Sequence, residues 1–266
     1  MSDDEGVVLV VSSLLALVLW VCWYVRLARM RRPGASIAGR RLMALAPPAC
    51  GALLLWLLRS AAAHDVRDAP QYLALYFALG AAWVGVAILL LALLGLSARE
   101  DVLERANRSA AFAIAGALAG VTLAYAGGNV GDGPGWWVVL FSSGLATATL
   151  ALVALVLERV TRVASVVTVD RDDAAGLRLG GFFVASGLVL GRAAAGDWES
   201  ASATFRDFVE VGWPVAPLLV LAALVERTAR PAPARPSLPV VSWGVVPALL
   251  GVALAILYVV SLGPLP

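Results

Sequence analysis

The chain contains 266 residues, of which 61% are hydrophobic and 14% are charged, and its mean hydropathy is +0.88. A water-soluble domain of this composition could not cover its surface with polar side chains, so the long apolar runs indicate an integral membrane protein. The 20 basic residues are all Arg and lie in short loops between these runs, which argues against a nucleic-acid partner. The absence of Lys and the many Ala, Leu, Val and Gly residues are typical of a GC-rich bacterial genome.

Cysteine and histidine are too scarce for most redox and metal chemistry. Cys22 and Cys50 lie inside apolar runs, form no C-x-x-C motif and are interpreted as apolar side chains. The single histidine, His64, cannot supply paired haem ligands or a His-rich metal site. Sequence motifs of zinc proteases and serine hydrolases are also missing. We therefore expect no catalytic residue, no metal site and no cofactor.

Eight apolar runs are long enough to cross a bilayer as helices. They cover residues 6–26, 42–62, 72–96, 109–128, 136–157, 174–195, 204–225 and 240–262. The acidic N-terminus lacks the basic region of a secretory signal, so the first run is interpreted as a retained span. Pro47 and Pro48 interrupt the second run, which requires neighbouring groups to satisfy the carbonyls they leave free. We predict an all-α, polytopic membrane helical bundle in which residues 1–266 form one domain.

The positions of the arginines predict how the bundle is oriented, because cytoplasmic loops are enriched in basic residues. Alternate loops hold Arg26, Arg29, Arg31, Arg32, Arg40, Arg41, Arg99, Arg105, Arg108, Arg159, Arg162, Arg171, Arg178, Arg227, Arg230 and Arg235. The other side holds only Arg59, Arg67, Arg192 and Arg206. We therefore expect the Arg-rich loops in the cytoplasm, both termini outside, and the chain in a bacterial plasma (inner) membrane.

Several short segments favour connecting or anchoring roles. The Gly-rich loop at residues 127–135 is not followed by Lys and Ser or Thr, so it is interpreted as a hairpin connection rather than a phosphate loop. Residues 229–236 alternate Pro with other residues and predict a stiff linker. Aromatic side chains at the ends of runs are interpreted as interfacial anchors: Trp20, Trp23, Tyr24, Trp136 and Trp137.

The sequence also repeats at an offset of about 65 residues. This shift aligns Asn107 with Asp172 and Gly116 with Gly181, and a slightly longer shift aligns Glu158 with Glu226. We predict repeat copies at about 104–164 and 170–232, with a fainter copy at about 40–100 and flanking spans 6–26 and 240–262. A repeat with an even number of spans keeps its orientation, so these are parallel helical-hairpin repeats.

The start of the repeat resembles a known family. Asn107, Ala110, Ala111 and Gly116, and the corresponding Asp172, Ala174, Ala175 and Gly181, form a pattern similar to that of the YjfL-like bacterial inner-membrane family. The second copy departs from that pattern because it has Asp where the family favours Asn. The resemblance covers roughly residues 72–230 and implies an inner-membrane protein built from tandem copies of a domain of unknown function. It implies no catalytic residues.

Two sets of residues in the repeat favour structural roles. Asn107 and Asp172, or its neighbour Asp173, precede apolar helices and are suited to cap their free N–H groups; the alternative is a polar cytoplasmic vestibule. Small residues in the fourth and sixth spans are suited to close helix packing; the alternative is a narrow pathway lined by backbone. These glycines are Gly116, Gly120, Gly176, Gly180, Gly187 and Gly191.

Glu158 and Glu226 are the candidate functional pair, because each is placed at a helix C-terminus where the helix dipole disfavours a negative charge. The simpler interpretation is an interfacial ion pair with the Arg one or four residues later. The alternative is a charged mouth or proton site, in which both carboxylates reach the same internal surface. Arg178, about one turn into the sixth span, is expected to extend its side chain to the cytoplasmic interface.

Three classes of function follow from these features. We favour a structural or interaction role in the membrane, with the lipid bilayer and another membrane protein or a further copy of the chain as partners. The alternative is a small-solute or ion channel or permease with its pathway at the repeat interface. The span centres carry no charged residue, which counts against an ion-coupled carrier. An intramembrane enzyme is the least supported class.

Overall fold

The computed structural model describes residues 1–30, 37–230 and 238–265, and every regular element in these ranges is a helix. The α-helices are α1 (Asp3–Arg29), α2 (Ile37–Ser60), α3 (His64–Asp68), α4 (Pro70–Ala87), α5 (Arg108–Gly127), α6 (Trp136–Thr161), α7 (Val163–Thr168), α8 (Asp173–Ala194), α9 (Ala201–Gly212), α10 (Val215–Thr228) and α11 (Val246–Ser261). A 3-10 segment covers Ile88–Leu94, and π-helical segments cover Ala98–Glu104 and Val241–Val245. Arg31, Arg32, Arg235 and most of the predicted linker at 229–236 lie outside the described residues.

Seven of the helices in the described ranges are long and apolar enough to cross a membrane. They correspond to seven of the eight predicted spans, and the chain is a multi-pass helical membrane protein. The predicted span at 204–225 is instead divided between α9 and α10, which are bent by 41°. The break falls at Trp213 and Pro214, where proline removes a backbone donor and disfavours a continuous helix. The chain makes eight passes if this bent pair crosses as one.

Contacts between the ends of helices define two ends of the bundle. At one end, here called the Arg-rich end, Arg40 donates to the carbonyl of Leu27 and Arg108 pairs with Asp173. At the opposite end, the indole of Trp136 in α6 donates to Asp4 near the N-terminus, 3.1 Å away. The first helix therefore begins at the opposite end. Helix α11 starts at the Arg-rich end and runs towards the opposite end. Both termini lie at the same end of the molecule.

Helices α5 and α8 form the centre of the bundle. In their apolar windows 67% and 78% of the residues are buried, compared with 6% in α1 and 11% in α11. The two central helices run parallel, and their contact extends from Ser109 and Gly176 to Gly127 and Gly191. The peripheral helices α1 and α11 each leave most of their apolar surface uncovered by the chain.

The two prolines inside α2 are accommodated by aromatic residues of α1. Pro47 and Pro48 cannot donate to the carbonyls four residues earlier, which belong to Met43 and Ala44. The indole N–H of Trp23 donates to the Met43 carbonyl and the hydroxyl of Tyr24 to that of Ala44, both at 3.0 Å. Neighbouring side chains thus supply the donors that the Pro pair lacks, and α2 remains one helix. These two aromatics therefore have hydrogen-bond partners within the bundle, and their role as interfacial anchors stays a prediction.

Candidate functional site

The glycine-rich faces of α5 and α8 bring the two backbones into direct contact. A Cβ added at Gly116 would lie 2.3 Å from the Cα of Gly180, and one at Gly187 would lie 2.4 Å from the carbonyl oxygen of Gly120. The contact continues at both ends. A Cβ on Gly176 would lie 2.2 Å from the carbonyl oxygen of Ser109, and a Cβ on Gly191 would lie 2.4 Å from the carbonyl oxygen of Leu123. We call this contact of Gly116, Gly120, Gly176, Gly180, Gly187 and Gly191 the glycine seam.

No pathway separates the two helices along the seam. A Cβ atom cannot lie closer than about 3.0 Å to another heavy atom unless something shifts, so even one methyl group does not fit at these positions. Close approach of backbones provides van der Waals contact where lipid supplies no hydrophobic driving force between helices. The seam is therefore a packed interface.

The residues predicted as caps lie at the N-termini of the two seam helices, at the Arg-rich end. Asn107 accepts a hydrogen bond from the N–H of Ala110, and Asp172 accepts one from that of Ala174. Asn107 is fully enclosed and its amide also donates to the carbonyl of Val167 at 2.7 Å. It therefore joins α5 to the end of α7 as well as capping α5, and it lines no vestibule. The other carboxylate oxygen of Asp172 is buried without a hydrogen-bond partner.

Each cap follows a residue in the left-handed backbone conformation. Ala106 has φ of 54° and Arg171 has φ of 55°, and the two positions are 65 residues apart. This conformation is uncommon for residues other than Gly, so its occurrence directly before both caps is a specific shared feature. It turns the chain from a short helical segment into each central helix.

Arg178 and Glu226 form an ion pair buried inside the protein. The side chains are 4% and 6% exposed, and Arg178 donates from Nε and Nη2 to the two oxygens of Glu226 at 2.6 and 2.8 Å. This two-point geometry matches the planar guanidinium to the carboxylate. The pair joins α8 to α10 near the Arg-rich end.

The third guanidinium nitrogen of Arg178 reaches the start of the last span. Its Nη1 donates to the backbone carbonyl of Trp243. Four residues later stands Pro247, which has no N–H group to donate to that carbonyl. One guanidinium therefore connects α8, α10 and the helical segment that leads into α11. Every polar atom of the pair has a partner within the chain, as a buried charge requires.

Two expectations from the sequence are wrong here. Arg178 does not extend to the interface, because it is buried against Glu226. The partner of Glu226 is Arg178 and not Arg227 or Arg230, the arginines one and four residues later. An Arg inside a predicted span has to be paired, so a search for its carboxylate would have been the signal that sequence reasoning missed.

Glu158 has a different role from Glu226. Its carboxylate accepts a 2.7 Å hydrogen bond from the N–H of Ala164, so it caps the short helix α7 that follows α6. Arg159, Arg162 and Arg230 are close enough to interact with it electrostatically. Arg230 also donates to the carbonyl of Thr161, which places the ends of α6 and α10 side by side. Glu158 and Glu226 are thus near the same end of the bundle but have separate partners.

An apolar crevice of about 200 Å³ lies next to the buried pair. It is lined by side chains of α8, α10 and α11, including Phe182, Leu218 and Leu250, with Arg178 and Glu226 in its wall. Within the described ranges, no three His, Cys, Asp or Glu side chains gather in a way that could hold a metal ion. The arrangement joins α8, α10 and the start of the last span through one buried ion pair.

Comparison of the chain with protein-family models, with curated proteins and with solved structures finds no match.

Proposed function

We propose that the protein is a structural or interaction component of the membrane, in which a rigid centre presents lipid-facing helices to another membrane protein. The observation that carries the proposal is the contrast between α5 and α8, which are packed backbone to backbone, and α1, which is hardly covered. In α1 the uncovered residues include Leu14, Leu17 and Val21, all at least half exposed. Three to four residues separate them, so they form one face of the helix.

The absence of space along the glycine seam favours this role over a pathway at the same interface. The buried pair of Arg178 and Glu226 also supports it, since both charges are satisfied by the chain itself and need no transported ion. The proposal includes no catalytic activity.

A photocrosslinking amino acid placed at single positions of α1 tests the interaction role in native membranes. From the 60% exposed position of Leu17 we expect crosslinks to a discrete membrane protein, while from the 8% exposed position of Ala16 we expect crosslinks within the chain only. Lipid adducts alone from Leu17, with no discrete protein band, would contradict the proposal.

We further propose that the membrane is a bacterial inner membrane, with the Arg-rich end in the cytoplasm and both termini outside. The bias of arginines to one end supports this orientation. Reporter enzymes fused after residue 265 and into the loop between α4 and α5 test it: we expect periplasmic activity from the first fusion and cytoplasmic activity from the second. The reverse pattern would overturn it.

We also propose that the chain is built from parallel hairpin repeats and is related to the YjfL-like family. Equal backbone conformations at Ala106 and Arg171, and caps that directly follow them, support the copies at about 104–164 and 170–232. Residues 231 and 232 of the second copy lie outside the described residues. The parallel course of α5 and α8 agrees with repeats that keep their orientation. The fainter copy at about 40–100 and the family relationship rest on the sequence pattern alone.

A further inference from the structure

A polar cavity of about 260 Å³ opens at the end of the bundle opposite the Arg-rich loops. Its walls come from α3, the outer turn of α4, the start of α6 and the Gly-rich loop. The loop is held in place by hydrogen bonds to the segment at 196–198. Gly196 N–H donates to the Val130 carbonyl at 2.9 Å, Trp198 N–H donates to the Asp132 carbonyl at 2.8 Å, and Asp132 N–H donates to the Asp197 carboxylate at 2.7 Å. The cavity is thus a built feature of the fold and is independent of the glycine seam.

Three buried polar side chains line this cavity and have unused hydrogen-bonding capacity. Tyr76, Asn129 and Ser142 are 5%, 4% and 4% exposed. Asn129 uses its amide nitrogen on the carbonyl of Tyr125, and its Oδ1 has no partner. The side-chain hydroxyls of Tyr76 and Ser142 make no hydrogen bond with any residue that the structure describes. Of these polar atoms, Asn129 Oδ1 is the one that is fully enclosed without a partner. Such buried polar atoms are uncommon in proteins and call for an explanation.

The charge of the cavity has one sign. Asp65 and Asp132 line it, and no Arg or His is among the lining residues. The Asp65 carboxylate, together with Glu5 near the N-terminus, interacts electrostatically with the Tyr76 hydroxyl. A concave, water-facing site lined by carboxylates concentrates cations. Asn129 Oδ1 can only accept a hydrogen bond, so the favoured occupant is a cation that donates hydrogen bonds.

We propose that this cavity, at Asp65, Tyr76, Asn129 and Ser142, binds a small organic cation with an ammonium group. An ammonium carries three donors, which the Asp65 carboxylate, Asn129 Oδ1 and a hydroxyl oxygen can accept. The volume is just below the usual range for ligand pockets, so the occupant is smaller than a typical drug-sized ligand. The inference goes beyond the proposed interaction role and does not depend on it.

The test uses the purified full chain in detergent, with n-propylammonium chloride as the probe and thermal unfolding and titration calorimetry as readouts. Titration extends to about 50 mM, because a ligand with four non-hydrogen atoms binds no more tightly than about 0.05 mM. Sodium chloride at equal concentration controls for ionic strength, and 1-propanol controls for shape without charge. We expect saturable binding and a higher unfolding midpoint with propylammonium alone.

Asp65→Asn is the main variant, because Asp65 is exposed on α3 and we expect replacement of its carboxylate by an amide to leave the fold intact. We expect it to weaken propylammonium binding by at least about tenfold. Ser142→Ala is the second variant, and we expect it to weaken propylammonium binding less than Asp65→Asn does. Asp68→Asn is the matched control on the same short helix, since Asp68 is paired with His64, lies outside the cavity lining and should leave binding unchanged.

Three outcomes would overturn the proposal. One is equal stabilisation by sodium chloride and propylammonium chloride, which would indicate a simple salt effect. Another is binding that Asp65→Asn and Ser142→Ala leave intact. The third is an equal loss of propylammonium affinity in Asp65→Asn and Asp68→Asn, which would indicate attraction to the general surface charge and not binding in this cavity. None of these outcomes bears on crosslinking from α1.

Discussion

The Arg178 guanidinium connects three helical segments from a buried position. Removing one partner of a buried ion pair leaves an uncompensated charge, which costs about 3–5 kcal/mol. We therefore expect Arg178→Met to lower the free energy of unfolding in detergent by about that amount. Arg99→Met is the control, because the pair of Arg99 with Glu104 is largely exposed and such pairs contribute at most about 1 kcal/mol. Equal effects of the two variants would contradict a buried pair.

The two candidate glutamates differ in what a change to Gln removes. Glu226→Gln leaves the buried Arg178 charge without an anion, so we expect a large loss of stability. Glu158→Gln keeps a carbonyl oxygen that can still accept from the Ala164 N–H, so we expect a loss of less than about 1 kcal/mol. Unfolding of both variants by denaturant measures the difference. Two near-identical losses would argue for a shared role at one internal surface, and wild-type behaviour of both would exclude a role for either.

At the scale of the elements, the glycine seam fixes the distance between α5 and α8. Gly116→Ala would place a methyl group 2.3 Å from a backbone atom of α8, which only separation of the helices relieves. Overpacking of this kind costs typically about 1–3 kcal/mol, and rigid backbone on both sides places this site at the upper limit. Gly251→Ala in α11 is the matched control, because its Cβ meets no atom within 4 Å. We expect the thermal midpoint to fall for the first variant and to stay or rise slightly for the second.

The pairing of α1 with the proline carbonyls of α2 makes a second prediction about an element. Trp23→Phe removes the donor to the Met43 carbonyl and should cost about 1 kcal/mol. Pro47→Ala would return a backbone N–H to that carbonyl, so in the double variant the loss from Trp23→Phe should be smaller. A double-mutant cycle measures this coupling. Strict additivity would show that Trp23 does not act through the carbonyl freed by Pro47. Trp56→Phe, at a 63% exposed position, controls for loss of an indole.

Much of the element structure could be predicted because it follows from local patterns. Apolar run length gave seven spans, and the Asn and Asp before α5 and α8 gave two caps. Pro214 and Pro217 mark the seventh run as irregular in the sequence, but hydropathy does not register backbone geometry, so the 41° bend itself could not be predicted. The partners of Arg178, Glu158 and the proline carbonyls were missed because they lie tens of residues away in sequence, or depend on loops whose course one sequence does not define.

At the scale of the whole molecule, the cavity at residues 65, 76, 129 and 142 could not be predicted from the sequence. Its polar groups are common residue types in four separate segments, and only their meeting makes a site. The Gly-rich loop was interpreted as a simple connection. Its hydrogen bonds to Gly196 and Trp198 are what give it a fixed course. The general class of membrane protein, by contrast, follows from composition alone.

The central claim for the whole molecule is that α5 and α8 form a closed centre and not a conduit. The most direct measurement is solute and ion flux in liposomes that contain the purified protein alone. We expect release of small solutes and monovalent ions at the rate of protein-free liposomes, because the seam leaves no space for a methyl group. Flux above that rate, abolished by Gly116→Ala and retained by Gly251→Ala, would show a pathway at the seam and contradict the account.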